Sequence, residues 1–330
     1  MKAYIKKIAY YLPEKIEENA ANRLTEKTGI YRRHICAADE TALNLAVRAA
    51  RKLLVTTELT QSIDYLILCT QSPDYYLPTT ACLLQNELGL ATTIGATDIN
   101  LGCSGYVYGL GLAKGLIESG QAQNVLLVTA ETYSKRINDK DNAVKPLFGD
   151  AAAATLIVGE DTEADGIEAL VYGTDGSGAS KLIIPVGGTR NPYDKTELVT
   201  TTDARGNTRT NRDLYMNGSG IMKFALENVP PLVKKVLNKV NLSRDAIDYY
   251  VFHQANKFML DYLQEKCELM ALPYWNDVRE YGNTGSNSIP IALADMLQAN
   301  DCKKLKRVMI AGFGVGLSMA GAIINLEKME

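Results

Sequence analysis

Three polar residues in this chain of 330 carry types and spacings that suit nucleophilic chemistry: Cys103, His253 and Asn283. Cys103 follows a short apolar run in DINLGCSGYVYGLGLAKGL, where Gly102 turns the chain and the following residues read as a helix. A thiol opening a helix meets free N–H groups and the positive end of the helix dipole, so thiolate is expected to be favoured over thiol. Ser104 is the expected capping residue of that helix. His253 is one of only two histidines and ends the strand-like DYYVF, ahead of a Gln-Ala-Asn turn. Asn283 lies in the loop YGNTGSNS. Its amide beside an imidazole N–H would make a donor pair for negative charge developing on a carbonyl oxygen. The glycine-rich Gly312-Phe-Gly314-Val-Gly316 lacks the spacing of a dinucleotide loop. It reads better as a tight turn presenting a backbone N–H, which with the Cys103 amide would complete an oxyanion hole. Acyl transfer through a cysteine is the chemistry these groups share. His34, in YRRHICA, has no such setting and reads as structural or surface.

The elements that must bring these residues together occur twice. Asn100-Leu-Gly-Cys103-Ser104 recurs as Asn283-Thr-Gly-Ser286-Asn287, an offset of 183 residues, and the apolar runs beginning at Val125 and Val308 keep that offset. Upstream, Ile63-Asp-Tyr and Ile247-Asp-Tyr repeat at 184. Two copies of one α/β unit follow, 1–165 carrying the cysteine and 166–330 carrying the histidine and asparagine, with 187–211 as a polar insertion in the second. Short β-branched or apolar runs alternate with helix-spaced segments, which predicts mostly parallel sheets covered by helices and related by a pseudo-twofold axis. Reactive groups should gather where strand ends of both copies meet.

Composition excludes several alternatives. A formal net charge of −3 supplies no positive field for nucleic acid or an anionic membrane. No apolar run approaches a bilayer span and the start of the chain lacks a signal-peptide core, so the protein is expected in the cytoplasm. Six cysteines, among them Cys302, show no C-x-x-C pair, and no metal site is expected. Cys69 and Cys82 are expected to be small buried hydrophobes.

Taken together, Gly102-Cys103-Ser104-Gly105, Phe148-Gly-Asp150, His253-Gln-Ala-Asn256, Gly282-Asn-Thr284 and Gly312-Phe-Gly314 resemble the beta-ketoacyl-acyl carrier protein synthase III family of thiolase-like condensing enzymes. Tyr11-Leu-Pro13 and Thr28-Gly-Ile30 with Arg32-Arg33-His34 extend the resemblance nearly end to end. The resemblance implies the thiolase-like fold, layered αβαβα. It also implies acyl transfer from a coenzyme A or carrier-protein thioester to Cys103, then decarboxylative condensation with malonyl-carrier protein. His253 and Asn283 would hold the enolate oxygen, and the amides of Cys103 and Val315 the thioester oxygen. No cofactor beyond these substrates is implied. Partners implied are a second copy of the chain, with Leu77 reaching into its acyl pocket, and acyl carrier protein, with Lys257 as a contact. The tryptophan and arginine that sandwich the adenine of coenzyme A in the family are missing, their places falling near Arg23 and Asn142, which favours a carrier-protein donor. Transfer to a hydroxyl or amine acceptor, and a noncatalytic dimer partner, are the competing readings.

Overall fold

The structure, a computed structural model, describes residues 1–300 and 305–329; Cys302 lies outside the described residues. Nine strands form two main sheets. In the first, β1 (Lys2–Tyr11), β2 (Tyr65–Cys69), β3 (Gly95–Ile99), β4 (Asn124–Glu131) and β5 (Ala151–Glu160) lie in the order β1-β5-β4-β2-β3. In the second, β6 (Ile167–Thr174), β7 (Tyr249–Phe252), β8 (Arg307–Gly314) and β9 (Ser318–Asn325) lie in the order β6-β9-β8-β7. Each sheet contains one reversed strand, β5 and β9, antiparallel to both of its neighbours, while the others run one way. The two orders are the same list read twice. A single parallel bridge, Tyr250 to Tyr274, stands where the first sheet has β3.

Alternating side chains on these strands separate three apolar layers. Ile67, Val125, Leu127, Val251, Val308 and Ile310 face a central layer made by α3 (Gly105–Glu118) and α6 (Ser288–Ala299). Leu66, Leu68, Leu126 and Val128 face outward onto α1 (Ala42–Leu53) and α2 (Thr80–Leu88). Tyr250, Phe252, Met309 and Phe313 face α4 (Gly218–Lys239) and α5 (Lys257–Lys266) on the opposite side. The result is helix, sheet, helix, sheet, helix. Burying strands on both faces explains their unbroken apolar runs, and each fully buried Leu, Ile or Phe contributes roughly 1.5–3 kcal/mol.

Local signals account for the helix ends. Thr41 caps α1 through a capping box with Asn44, and the Asn256 side chain accepts from the Met259 N–H at the start of α5. Cys69 is buried as expected, but Cys82 is exposed. In α2 the inward positions are Thr80, Ala81 and Leu84, so helical periodicity turns Cys82 to the outside.

Candidate active site

The central helices α3 and α6 begin near the pseudo-twofold axis, and the loops before them carry the candidate residues. Cys103 lies in the turn between β3 and α3, His253 directly follows β7, and Asn283 precedes the turn into α6. All three are buried, at 5%, 2% and 7% exposure. Together with Phe313 and Gly314 they line one cavity of about 650 Å³. Its walls are largely apolar, with Leu147, Phe148, Leu182, Ile221 and Met259 among them. Exposed residues, Leu24, Lys27 and Arg205, line it as well and mark the open end.

Close approach of the two halves seats the sulfur. A Cβ on Gly314 would stand 2.7 Å from Cys103 Sγ, so only glycine leaves room for the thiol there. The backbone N–H groups of Val315 and of Cys103 itself favour the sulfur anion. These are the two amides expected to form an oxyanion hole.

Two details of this turn differ from expectation. Helix α3 begins at Gly105, two residues after the cysteine, and Ser104 makes no side-chain cap. Its hydroxyl instead makes a short hydrogen bond to Ser318 Oγ, tying the head of α3 to β9 of the other half. The thiol, moreover, is pushed up to about 12 rather than down. Burial disfavours the sulfur anion more than the two amides favour it.

Hydrogen bonding orients the other two groups. His253 Nδ1 lies 2.7 Å from Ser288 Oγ, and that oxygen accepts the Gln254 N–H at 3.4 Å. In the tautomer in which the hydroxyl donates to Nδ1, the imidazole proton sits on Nε2. Burial alone drives His253 down to about 3, so the ring is neutral through the physiological range. Asn283 Oδ1 accepts the Gly285 N–H at 2.9 Å, which fixes the amide and leaves its NH2 as the free donor. The Asn283 backbone is pinned as well, donating to Leu147 O at 2.8 Å and accepting from Gly149 at 3.0 Å. In that tautomer an Nε2–H and the Asn283 NH2, neither with a partner among the described residues, line the same cavity as the thiol.

The remaining candidates lie elsewhere. Leu77 is 82% exposed and does not line this cavity. Lys257, at the start of α5, forms a short ion pair with Asp261 and is not a lining residue. His34 Nδ1 donates to Pro13 O at 2.6 Å, a structural contact. Sequence reading missed Ser288, Ser318 and the open-end residues Lys27, Arg205 and Phe258. None has a local signal, since each acquires its place from a partner far away in the chain.

The chain is similar to known proteins over nearly its whole length. A family model described as 3-oxoacyl-[acyl-carrier-protein (ACP)] synthase III matches residues 97–176, and the model of its C-terminal part matches residues 237–326. Beta-ketoacyl-[acyl-carrier-protein] synthase III of Clostridium perfringens is 36% identical over 329 residues, covering 96% of this chain and 97% of its own. A crystal structure of a 3-oxoacyl-(acyl-carrier-protein) synthase III superposes with a TM-score of 0.94 at 45% identity, covering 98% of this chain and 100% of its own. The 3-oxoacyl-(acyl-carrier protein) synthase of Burkholderia xenovorans LB400 gives 0.89 at 36% identity, covering 100% of this chain and 95% of its own.

Proposed function

The chain belongs to the 3-oxoacyl-[acyl-carrier-protein] synthase III family, and from that premise we propose that it is a condensing acyltransferase with Cys103 as nucleophile. The observation that carries this reading is one cavity whose closed end combines a thiol, two backbone amides, a neutral imidazole and an oriented carboxamide. In the first step Cys103 Sγ attacks the carbonyl of an acyl thioester. The oxyanion rests on the amides of Cys103 and Val315, the donor's C–S bond breaks, and the thiol proton ends on the departing sulfur. In the second, malonyl-carrier protein enters and its thioester oxygen meets His253 Nε2–H and Asn283 NH2. Loss of carbon dioxide leaves an enolate on those donors. Its carbon attacks the acyl-enzyme carbonyl, and the Cys103 thiolate is expelled with the 3-oxoacyl thioester as product. A neutral imidazole suits this role, because a donor is needed there and a mobile proton is not.

The substrates are acyl-coenzyme A or acyl-carrier protein and malonyl-carrier protein, with no further cofactor. The protein acts as a homodimer. Supporting this are β3 at the edge of its sheet and the neighbouring exposed apolar residues Tyr75, Tyr76 and Leu77, a group suited to a second copy whose acyl pocket Leu77 would enter. Lys257 is the proposed contact for acidic carrier protein, and the cytoplasm the proposed location. No described helix is long and apolar enough to cross a membrane.

Intact-mass measurement tests both steps. Acyl thioester should add one acyl group to the protein, and none to Cys103→Ala; malonyl-carrier protein should then discharge it with release of carbon dioxide. His253→Ala should still acylate while decarboxylation falls by about a hundredfold. Equal loss of both steps in His253→Ala would contradict the assigned roles.

A further inference from the structure

Segment 145–149 lies outside any helix or strand, so each of its buried carbonyls needs a partner from elsewhere in the chain. Four consecutive carbonyls find one. Lys145 O accepts from Arg33 Nη1 at 2.9 Å, Pro146 O from Asn19 Nδ2 at 2.8 Å, Leu147 O from the Asn283 N–H at 2.8 Å, and Phe148 O from Arg33 Nη1 at 3.3 Å. Asn19 is itself set by Arg33, whose Nε donates to Asn19 Oδ1 at 3.2 Å. On the other side the Gly149 N–H donates to Asn283 O at 3.0 Å, so Phe148 and Asn283 pair as a single parallel bridge. One stretch of backbone therefore separates the Arg33 guanidinium from Asn283.

This stack has little slack. A Cβ on Gly282 would stand 2.8 Å from Leu147 O and 3.0 Å from Arg33 Cγ, and one on Gly149 would stand 2.4 Å from Tyr281 O. Arg33 lies on the short strand Arg32–Ile35, is 4% exposed, and pairs with Glu17, Nη2 to Oε2 at 3.3 Å. The same strand grips the far end of the segment, where the Asp150 N–H donates to His34 O at 2.8 Å and the buried Asp150 carboxyl accepts the Cys36 N–H at 2.9 Å. Arg33 does not line the cavity that holds Cys103, so its guanidinium meets neither thioester.

We infer that Arg33 is a positioning residue for Asn283: it fixes the carbonyls of Lys145 and Phe148, the segment between them fixes the Asn283 backbone, and the carboxamide is thereby aimed at the acceptor's thioester oxygen. The inference rests on the acyl-transfer reading above. Without the guanidinium, two carbonyls lose their donor, and the segment must shift to regain one, carrying Asn283 with it. Cys103 is seated by Gly314 and Val315, on a segment that Arg33 does not touch. The loss should therefore fall on decarboxylation and spare acylation, a split that general loosening of the fold would not produce.

Arg33→Met tests this, since it keeps length and apolar bulk while removing every donor. Decarboxylation of malonyl-carrier protein by the acyl-enzyme should fall about tenfold in kcat, while single-turnover acylation of Cys103, read by intact mass, stays within about twofold of the original. Introduced into Asn283→Ala, the same substitution should cost less than about twofold further, because the group it positions is gone. Asn19→Ala, which removes only the donor to Pro146 O and the acceptor of Arg33 Nε, should show the same split at about threefold, and it carries the test if Arg33→Met does not fold. Equal losses in both steps, or a tenfold loss that persists undiminished in the Asn283→Ala background, would overturn the inference. If Asn283→Ala itself decarboxylates at the original rate, the acyl-transfer reading's role for Asn283 fails, an outcome distinct from either of these.

Discussion

The proposed catalytic set has a counterpart related by the internal duplication, and the two are built in opposite ways. At the offsets of 183 and 184 residues, Cys103 corresponds to Ser286, His253 to Cys69, Asn283 to Asn100, and Gly314 to Glu131. Around Gly314 the structure leaves a cavity. Around Glu131 it leaves none of that room, because the carboxylate occupies it. Glu131 accepts the Gln71 N–H at 3.0 Å, the Ser72 hydroxyl at 2.9 Å and the Ser286 hydroxyl at 3.2 Å. Cys69 Sγ donates to Leu101 O at 3.1 Å, and Asn100 Oδ1 accepts from Gln71 Nε2 at 3.3 Å. The same turn therefore lines a cavity, the proposed reactive centre, in one copy and forms a hydrogen-bonded brace in the other. One position differs most between them: a glycine at the end of β8 leaves room beside the sulfur, and a glutamate at the end of β4 fills the matching space.

The sharpest way to break this contrast is to fill the glycine. Gly314→Ala places a methyl group 2.7 Å from the nucleophilic sulfur, so acylation by thioester should fall about a hundredfold in a stopped-flow or mass-resolved assay. An alanine variant that acylates normally would show that the space beside the sulfur is not what Gly314 supplies. A smaller effect of another kind is expected in the brace. Ser286→Ala removes one hydrogen bond to the buried Glu131 carboxyl group and should lower unfolding free energy by about 1–2 kcal/mol in denaturant titration, with acylation within about twofold of the original. A hundredfold loss of acylation there would mean the two turns are not functionally separate.

The least conspicuous effect lies in the pH dependence of stability. Burial raises the Glu131 carboxyl from 4.5 to about 8 in the folded protein. Between those values the folded state holds a proton that the unfolded chain has released, so the stability tied to this group is present below about pH 4.5 and is lost as pH rises through about 8. Glu131→Gln keeps an uncharged, hydrogen-bonding side chain and should flatten that part of the profile, read as Tm against pH between 5 and 8.5 in steps. His253 acts in the opposite sense, its depressed value removing stability as pH falls from 6.5 toward about 3, so the two contributions separate by direction. An unaltered slope in Glu131→Gln would show that the brace does not depend on a protonated carboxyl.

Much of this molecule was legible without coordinates. The repeat at 183 and 184 residues announced the pairing of the Cys103 turn with the Ser286 turn, and both do head the central helices. The apolar runs of β2, β4, β7 and β8 read as doubly buried strands because they are covered on both faces. What was not legible depended on distance in sequence. Ser104 looks like a helix cap from its neighbours, yet its hydroxyl is taken by Ser318, 214 residues away. Ser288 is one serine among many until the fold sets it against His253.

The sequence by itself determined which residues could react and that two copies of one unit would present them, since residue chemistry and periodic patterning are local properties. Only the tertiary structure decided the charge state and the room available to them. Burial holds the Cys103 thiol and the His253 ring uncharged, and Gly314 leaves the space before the sulfur. Solvation and free volume are set by every chain segment that packs around a group, so no stretch of neighbouring residues contains them.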